Sequence, residues 1–220
     1  MNPPIESTYP VSLDLRDKPT LLVGGGEVAF RKALGLSGTG CRLTVVAREF
    51  SPAFQAWIEQ HRFNAEQRTY RDGEAEAYFL VISAADDAEV NRKVFEDAHR
   101  AGRLINVVDQ PQLCNIYIPS RLQRGSLQIA ISTGGKCPAF ARSLRRELEG
   151  TIPERYGLLL ERLAVIRRRM KETVPSQAAR KRFLERLLRS EAVRRFLAGD
   201  DQLLNRVEKG WERAKPNRPT

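Results

Sequence analysis

Thr20-Leu21-Leu22-Val23-Gly24-Gly25-Gly26-Glu27-Val28-Ala29-Phe30-Arg31-Lys32 decides the fold, because an apolar strand runs into a glycine turn and then into a helix start. Gly24, Gly26 and Ala29 stand at G-x-G-x-x-A spacing. The first glycine allows a tight turn, the second lets the backbone approach a ligand, and the small third residue lets helix and strand lie close. The free amide groups at the helix start then face an anion, which suits a pyrophosphate. Any strand-to-helix turn in a parallel sheet favours glycine, so the flanks must decide. Glu27 to Ser37 reads as a helix with Val28, Leu34 and the alanines on its inner side, and Gly38-Thr39-Gly40 ends it. Arg42 to Ala47 follows as a second strand, completing a unit that predicts a dinucleotide site.

Tyr78 to Ala84 is a continuous apolar run of strand length, as expected of a central strand covered on both faces. Asp86 and Asp87 follow it, and their position suits capping of the next helix, Ala88 to Arg100, better than a catalytic pair. Gly102 closes that helix, Leu104 to Asp109 forms another buried strand, and a weaker strand lies near Gln67 to Tyr70. The alternation predicts an α/β, Rossmann-like parallel sheet with helices on both faces. After Pro111 the texture changes. Asn115 to Ser120 and Ser126 to Ser132 read as strands separated by Arg121 to Gly125, and a helix begins near Pro138, whose missing amide hydrogen costs little in a first turn. From about Glu154 strands vanish. Leu158, Leu159, Arg162, Leu163, Ile166 and Met170 mark an amphipathic helix, two or three basic helices follow, and Pro216 to Thr220 reads as a frayed tail. The expected organisation is a dinucleotide domain over 1–113, a small α+β dimerisation unit over 114–150 and a basic helical domain over 151–220.

The 220 residues suffice for a sizeable core and one or two domains. The formal charge of +10 is unevenly placed: residues 142–220 hold 21 Lys/Arg and 11 Asp/Glu, whereas residues 1–141 hold 16 of each. A basic region of this kind suits nucleic acid, a membrane surface or a substrate carrying many carboxylates, or is simply a set of solvated helix faces. Cys41, Cys114 and Cys137 follow no repeating interval, which suits reduced thiols in a cytoplasmic protein. His61 and His99 have no cysteine or carboxylate at metal-ligand spacing, so no metal site is expected. Met1 to Glu6 shows neither the basic start nor the apolar core of an export signal, and the apolar run 78–85 is too short to cross a bilayer.

The order of motifs resembles the precorrin-2 dehydrogenase and sirohydrochlorin ferrochelatase proteins of sirohaem synthesis. The resemblance covers Tyr9 to Leu15, Val23 to Lys32, Val81 to Asp87 with Asn91, Asn106 to Pro111, Ile118 to Ser120 and, most specifically, Ile129-Ala130-Ile131-Ser132-Thr133-Gly134-Gly135-Lys136-Cys137-Pro138-Ala139-Phe140-Ala141-Arg142. It spans about residues 9–150; the basic helices are similar in type and less diagnostic.

The resemblance implies an oxidoreductase that moves a hydride from precorrin-2 to NAD, forming sirohydrochlorin. It implies a catalytic role for Asp109, at the carboxyl end of a central strand, where a carboxylate can take a proton. Asp109 as organiser of the turn before Pro111 is the structural alternative. The implied cofactor contacts are Gly24, Gly25, Gly26, Glu27 and Val28, with the adenosine end at Arg48 and Glu49. A carboxylate there binds the ribose hydroxyls of NAD and an arginine accommodates the phosphate of NADP, so this pair leaves the choice open; the family uses NAD. Ser132, Thr133 and Lys136 fall where the family approaches its tetrapyrrole, whose eight carboxylates suit a basic C-terminal domain. Some relatives also insert ferrous iron as a substrate and others only oxidise. A homodimer interwoven through 114–150 is implied as well. Two other classes compete: a redox-sensing regulator that binds DNA, against which the tail lacks a helix-turn-helix signature, and a non-catalytic nucleotide-binding subunit. Neither nucleic acid nor a membrane is an expected partner.

Overall fold

The structure, a computed structural model, describes residues 8–61 and 63–213; the stretches read above as a signal-free start and a frayed tail lie outside them. The chain folds into two compact units. The first runs to Ile118 and takes in Gly134–Lys136; the second comprises Pro119–Thr133 and the chain from Cys137 onward.

The first unit is built on a five-stranded parallel sheet. Its strands are β1 (Pro19–Val23), β2 (Arg42–Ala47), β3 (Asn64–Gln67), β4 (Leu80–Ser83) and β5 (Leu104–Val107), in the spatial order β3-β2-β1-β4-β5. The connecting helices are α1 (Glu27–Leu36), α2 (Pro52–His61) and α3 (Ala88–Arg100). Alternation along the strands separates two cores. Leu22, Val45 and Ile82 pack with Ala29 and Ala33 of α1 and Phe54 and Trp57 of α2. Leu21, Val46, Val81 and Ile105 pack on the other face with Val94 and Ala98 of α3. Chain order reverses on either side of β1, so a crevice opens between the carboxyl ends of β1 and β4, where such sheets take their ligands.

The α/β, Rossmann-like reading holds, with local differences. Ala29 and Ala33 lie on the inner face of α1 as expected, joined by Leu36, whereas Leu34 is 45% exposed. A helix packed tightly on a strand selects small residues at its contact line, which favours the alanines and leaves Leu34 outside it. The weak strand lies at Asn64–Gln67, meeting the expected span only at Gln67. Asp87 caps α3, accepting the amide hydrogens of Glu89 and Val90.

The second unit pairs β6 (Ser120–Arg124) with β7 (Leu127–Ile131) as an antiparallel hairpin. The segment before Ser120 is thus no strand. Asn115 instead bonds to β5, its side-chain oxygen accepting Ile105 N at 2.8 Å and its amide donating to Arg103 O at 2.7 Å. Helices α4 (Pro138–Thr151), α5 (Arg155–Thr173), α6 (Gln177–Leu188), α7 (Glu191–Leu197) and α8 (Gln202–Arg213) follow. Leu159, Ile166 and Met170 of α5 pack with Leu187, Val193, Phe196 and Leu204. Arg162, within the apolar stripe of α5, pairs with Glu208, and its guanidinium carbon lies 5.8 Å from the Phe196 ring centre, so its charge is matched beside the helical core. No helix among the described residues is long and apolar enough to cross a membrane.

Candidate functional site

A cleft of about 300 Å³ opens at the carboxyl edge of the sheet, lined by Gly26, Glu27, Val28, Ala84, Ala85, Asp86, Val108 and Asp109. Three loops make it: those after β1, β4 and β5.

The glycines of the first loop have separate tasks. Gly24 has φ +125°, and a Cβ there would stand 2.4 Å from Ala84 O. A Cβ on Gly25 would stand 1.8 Å from Glu49 O. Both positions are closed by neighbouring backbone. Gly26, in contrast, has nothing within 4 Å of an added Cβ. It is the N-cap residue of α1 with no side-chain cap, so the first amide hydrogens of the helix open toward the cleft beside it. An uncapped helix start beside a bare Cα is a cradle for an anionic group, and these residues fit the pyrophosphate of a dinucleotide.

The second loop is clamped by Asn91 of α3. Its side-chain oxygen accepts Ser83 Oγ at 2.6 Å and Ala85 N at 3.3 Å, and its amide donates to Ala85 O at 2.8 Å. Ser83 and Asn91 are both buried, so this bonding fixes the backbone that forms one cleft wall.

The third loop carries Asp109, which has φ +58°, a left-handed conformation that aspartate adopts more readily than most residues. Cys114 props the turn from inside. Its Sγ accepts Val107 N at 3.2 Å and donates toward Val107 O at 3.2 Å or Gln110 O at 3.3 Å. Burial pushes the Cys114 thiol above its ordinary value, a bond from Val107 N and the charge of Lys32 opposing that rise, so it is a structural thiol. Lys32, one turn beyond Val28 on α1, is half-buried. Burial lowers its pKa, Arg31 adds to the effect, and Asp109 and Cys114 oppose it.

Of the residues expected from sequence, Gly26, Glu27, Val28 and Asp109 come together in the cleft. Gly24 and Gly25 shape the turn from behind. Arg48 and Glu49 are exposed just after β2, and Arg48 Nη2 lies 3.5 Å from Asp87 Oδ2. Ser132 and Thr133 follow β7 in the second unit, where Thr133 Oγ1 accepts Cys137 N at 3.1 Å; Lys136 is exposed. Ala84, Ala85, Val108 and Lys32 were not singled out from sequence, and Asp86, read there as a helix cap, lines the cleft while Asp87 alone caps α3. The rule that ligands sit beyond strand carboxyl ends points to Ala84, Ala85, Asp86 and Val108; nothing short of packing points to Lys32.

Residues 11–120 match the family model described as putative NAD(P)-binding. The chain belongs to this family. Residues 124–151 match the model of the sirohaem biosynthesis protein central region, and residues 155–208 that of the sirohaem synthase dimerisation region. The chain is 38% identical over 205 residues to a sirohaem synthase of Thioalkalivibrio sulfidiphilus, covering 93% of this chain and 42% of that protein. It is 39% identical over 190 residues to a sirohaem synthase of Pseudomonas aeruginosa, covering 86% and 41%. The chain thus spans about two fifths of the length of these relatives. Among solved structures it is similar to SirC, a precorrin-2 dehydrogenase, with a TM-score of 0.76 at 26% identity, covering 92% of this chain and 100% of that one.

Proposed function

We propose that this protein is an NAD-dependent precorrin-2 dehydrogenase that forms sirohydrochlorin. One observation carries the reading: the cleft that joins the uncapped α1 start to Asp109 of the β5 loop. The similarity to SirC, a precorrin-2 dehydrogenase, across that protein's whole length supports the dehydrogenase activity.

In this reading the amides of Glu27 and Val28 bind the pyrophosphate, and Gly26 lets it approach the backbone. The bound nicotinamide supplies the hydride acceptor. Asp109 takes the proton that leaves the tetrapyrrole, so that hydride and proton together account for the two-electron oxidation. The Asn91 clamp and the Cys114 prop hold the two loops that face each other across the cleft. Ser132, Thr133 and Lys136, with the basic helices, receive substrate carboxylates.

The protein acts as a homodimer. A two-stranded hairpin is marginal alone, and Phe140, Leu158 and Leu160 of the second unit are 60%, 56% and 37% exposed. The dimerisation-region match supports the same conclusion.

Anaerobic turnover of precorrin-2, followed by sirohydrochlorin absorbance with NAD and with NADP, tests the proposal. NAD-dependent conversion is expected. NADH binding without turnover would reduce the protein to a nucleotide-binding subunit.

A further inference from the structure

The adenosine end of a dinucleotide in such a fold lies at the close of the second strand, where a carboxylate favours NAD and an arginine favours NADP. This chain places both there, Arg48 and Glu49, so its residue types give no preference. The structure adds a third group. In the strand order, β2 and β4 flank β1, and the Arg48–Asp87 contact therefore runs from the β2 loop to the β4 loop across the end of β1. It spans the glycine turn itself.

Asp87 divides its two oxygens. Oδ1 accepts the amide hydrogens of Glu89 at 2.9 Å and Val90 at 3.4 Å, which pins the carboxylate to the start of α3. Oδ2 faces Arg48 Nη2 at 3.5 Å. A carboxylate fixed at one end by two backbone bonds is a stationary charge, whereas the Arg48 side chain is long and 66% exposed, so the arginine moves to the aspartate. The surrounding charges reinforce this: Glu49 follows Arg48 directly, and Asp86 lines the cleft.

We propose that Asp87 is a specificity-determining residue that holds Arg48 away from service to a 2′-phosphate and so makes the site select NAD over NADP. The inference rests on the dinucleotide reading of the cleft and deepens it. NADP would bring a doubly charged phosphate toward Asp87, Glu49 and Asp86, with one arginine already engaged. NAD brings only hydroxyls, for which Glu49 is the acceptor, both oxygens of Asp87 being already engaged. Exposed charges at this range act through a high effective dielectric, so the discrimination due to Asp87 is modest, about three- to tenfold.

The test is equilibrium binding of NADH and NADPH by nucleotide fluorescence on the full chain, with no tetrapyrrole present. The wild type should bind NADH more tightly. Asp87→Asn keeps an oxygen for the α3 cap and removes the charge; it should leave NADH affinity within about twofold and tighten NADPH about three- to tenfold. Arg48→Gln on that background should abolish the gain, and high salt should shrink it. A wild type that prefers NADPH, or an NADH-to-NADPH ratio unchanged in Asp87→Asn, would overturn the inference. Failure to bind either nucleotide would sink both the inference and the dinucleotide reading. Binding as expected without precorrin-2 turnover would leave the inference standing and remove only the proposed activity.

Discussion

A methyl group on Gly25 would lie 1.8 Å from the carbonyl oxygen of Glu49, inside any contact distance. Next to it, Gly26 has open space above its Cα. Adjacent glycines of one turn thus answer to different demands, one to packing and one to a ligand. Gly25→Ala must push the β1 and β2 loops apart and should cost about 3 kcal/mol, visible as a lowered denaturation midpoint. Gly26→Ala should cost no more than about 1 kcal/mol at an N-cap position. It should nevertheless weaken NADH binding at least tenfold, read by fluorescence titration. Equal loss of stability in the two variants would remove the distinction.

Asp109 is held at φ +58° by a turn whose neighbours are tied to Cys114 Sγ. Asparagine tolerates that conformation as well as aspartate does, so Asp109→Asn should fold and melt like the wild type. It should bind NADH within about twofold and lose about 10²- to 10⁴-fold in kcat, the usual range for a general base. Full turnover in Asp109→Asn would assign the residue to the turn alone.

The parallel sheet was legible because its central strands are continuous apolar runs bounded by glycines and carboxylates, a pattern set by burial on both faces. Segments held by side-chain bonding were harder to read. Asn115 to Ile118 has strand-type residues, yet the amides of Asn115 and Ile116 donate to Ile105 O while the Asn115 side chain bonds Ile105 N and Arg103 O, contacts between residues ten or more apart that no local pattern records. Within the site, Gly26 and Asp109 follow from local rules. The division of labour at Asp87 does not, since whether its second oxygen meets Arg48 depends on how two loops from different strands come together.

Asn91 secures the cleft wall through three hydrogen bonds to Ser83 and Ala85. Asn91→Ala would leave the Ser83 hydroxyl and the Ala85 amide groups unpaired, in and beside the core, at a cost of about 2–3 kcal/mol. Asn91→Asp should be worse than a conservative change suggests, because it takes away the donor to Ala85 O and buries a charge. Hydrogen exchange should show faster opening at Ala84 to Asp86 in Asn91→Ala while the exchange of β2 amides changes little. Unchanged protection at Ala85 would mean that the loop holds itself.

Cys114 is buried and its thiol is pushed up, whereas Cys137 is exposed. A neutral alkylating reagent at about pH 7.5 should therefore label Cys137 first and leave Cys114 untouched until the first unit unfolds. Mass spectrometry of time points reads the order. Equal labelling of both thiols in the native protein would show that the prop beneath the Asp109 turn opens readily.

Acid should attack the first unit through Asp97. Its Oδ2 accepts Tyr70 Oη at 2.8 Å and Gly73 N at 2.7 Å, and its Oδ1 accepts Arg100 Nη2 at 2.5 Å. Burial alone would raise its pKa, but these three donors more than offset that and hold it below the ordinary aspartate range. Because the folded value lies below the unfolded one, the stabilisation is complete above about pH 4 and is lost as pH falls through the folded pKa. Glu74, lowered in spite of burial by its bonds to Arg68 and Arg71, contributes with the same sign. Urea midpoints taken from about pH 7 to about pH 3 should fall most steeply at the acid end. In Asp97→Asn that slope should be shallower, with a lower midpoint at neutral pH, since an amide keeps one acceptor for Tyr70 and Gly73 but no charge for Arg100. A variant whose acid slope matched the wild type would show that the acid sensitivity arises from other carboxylates.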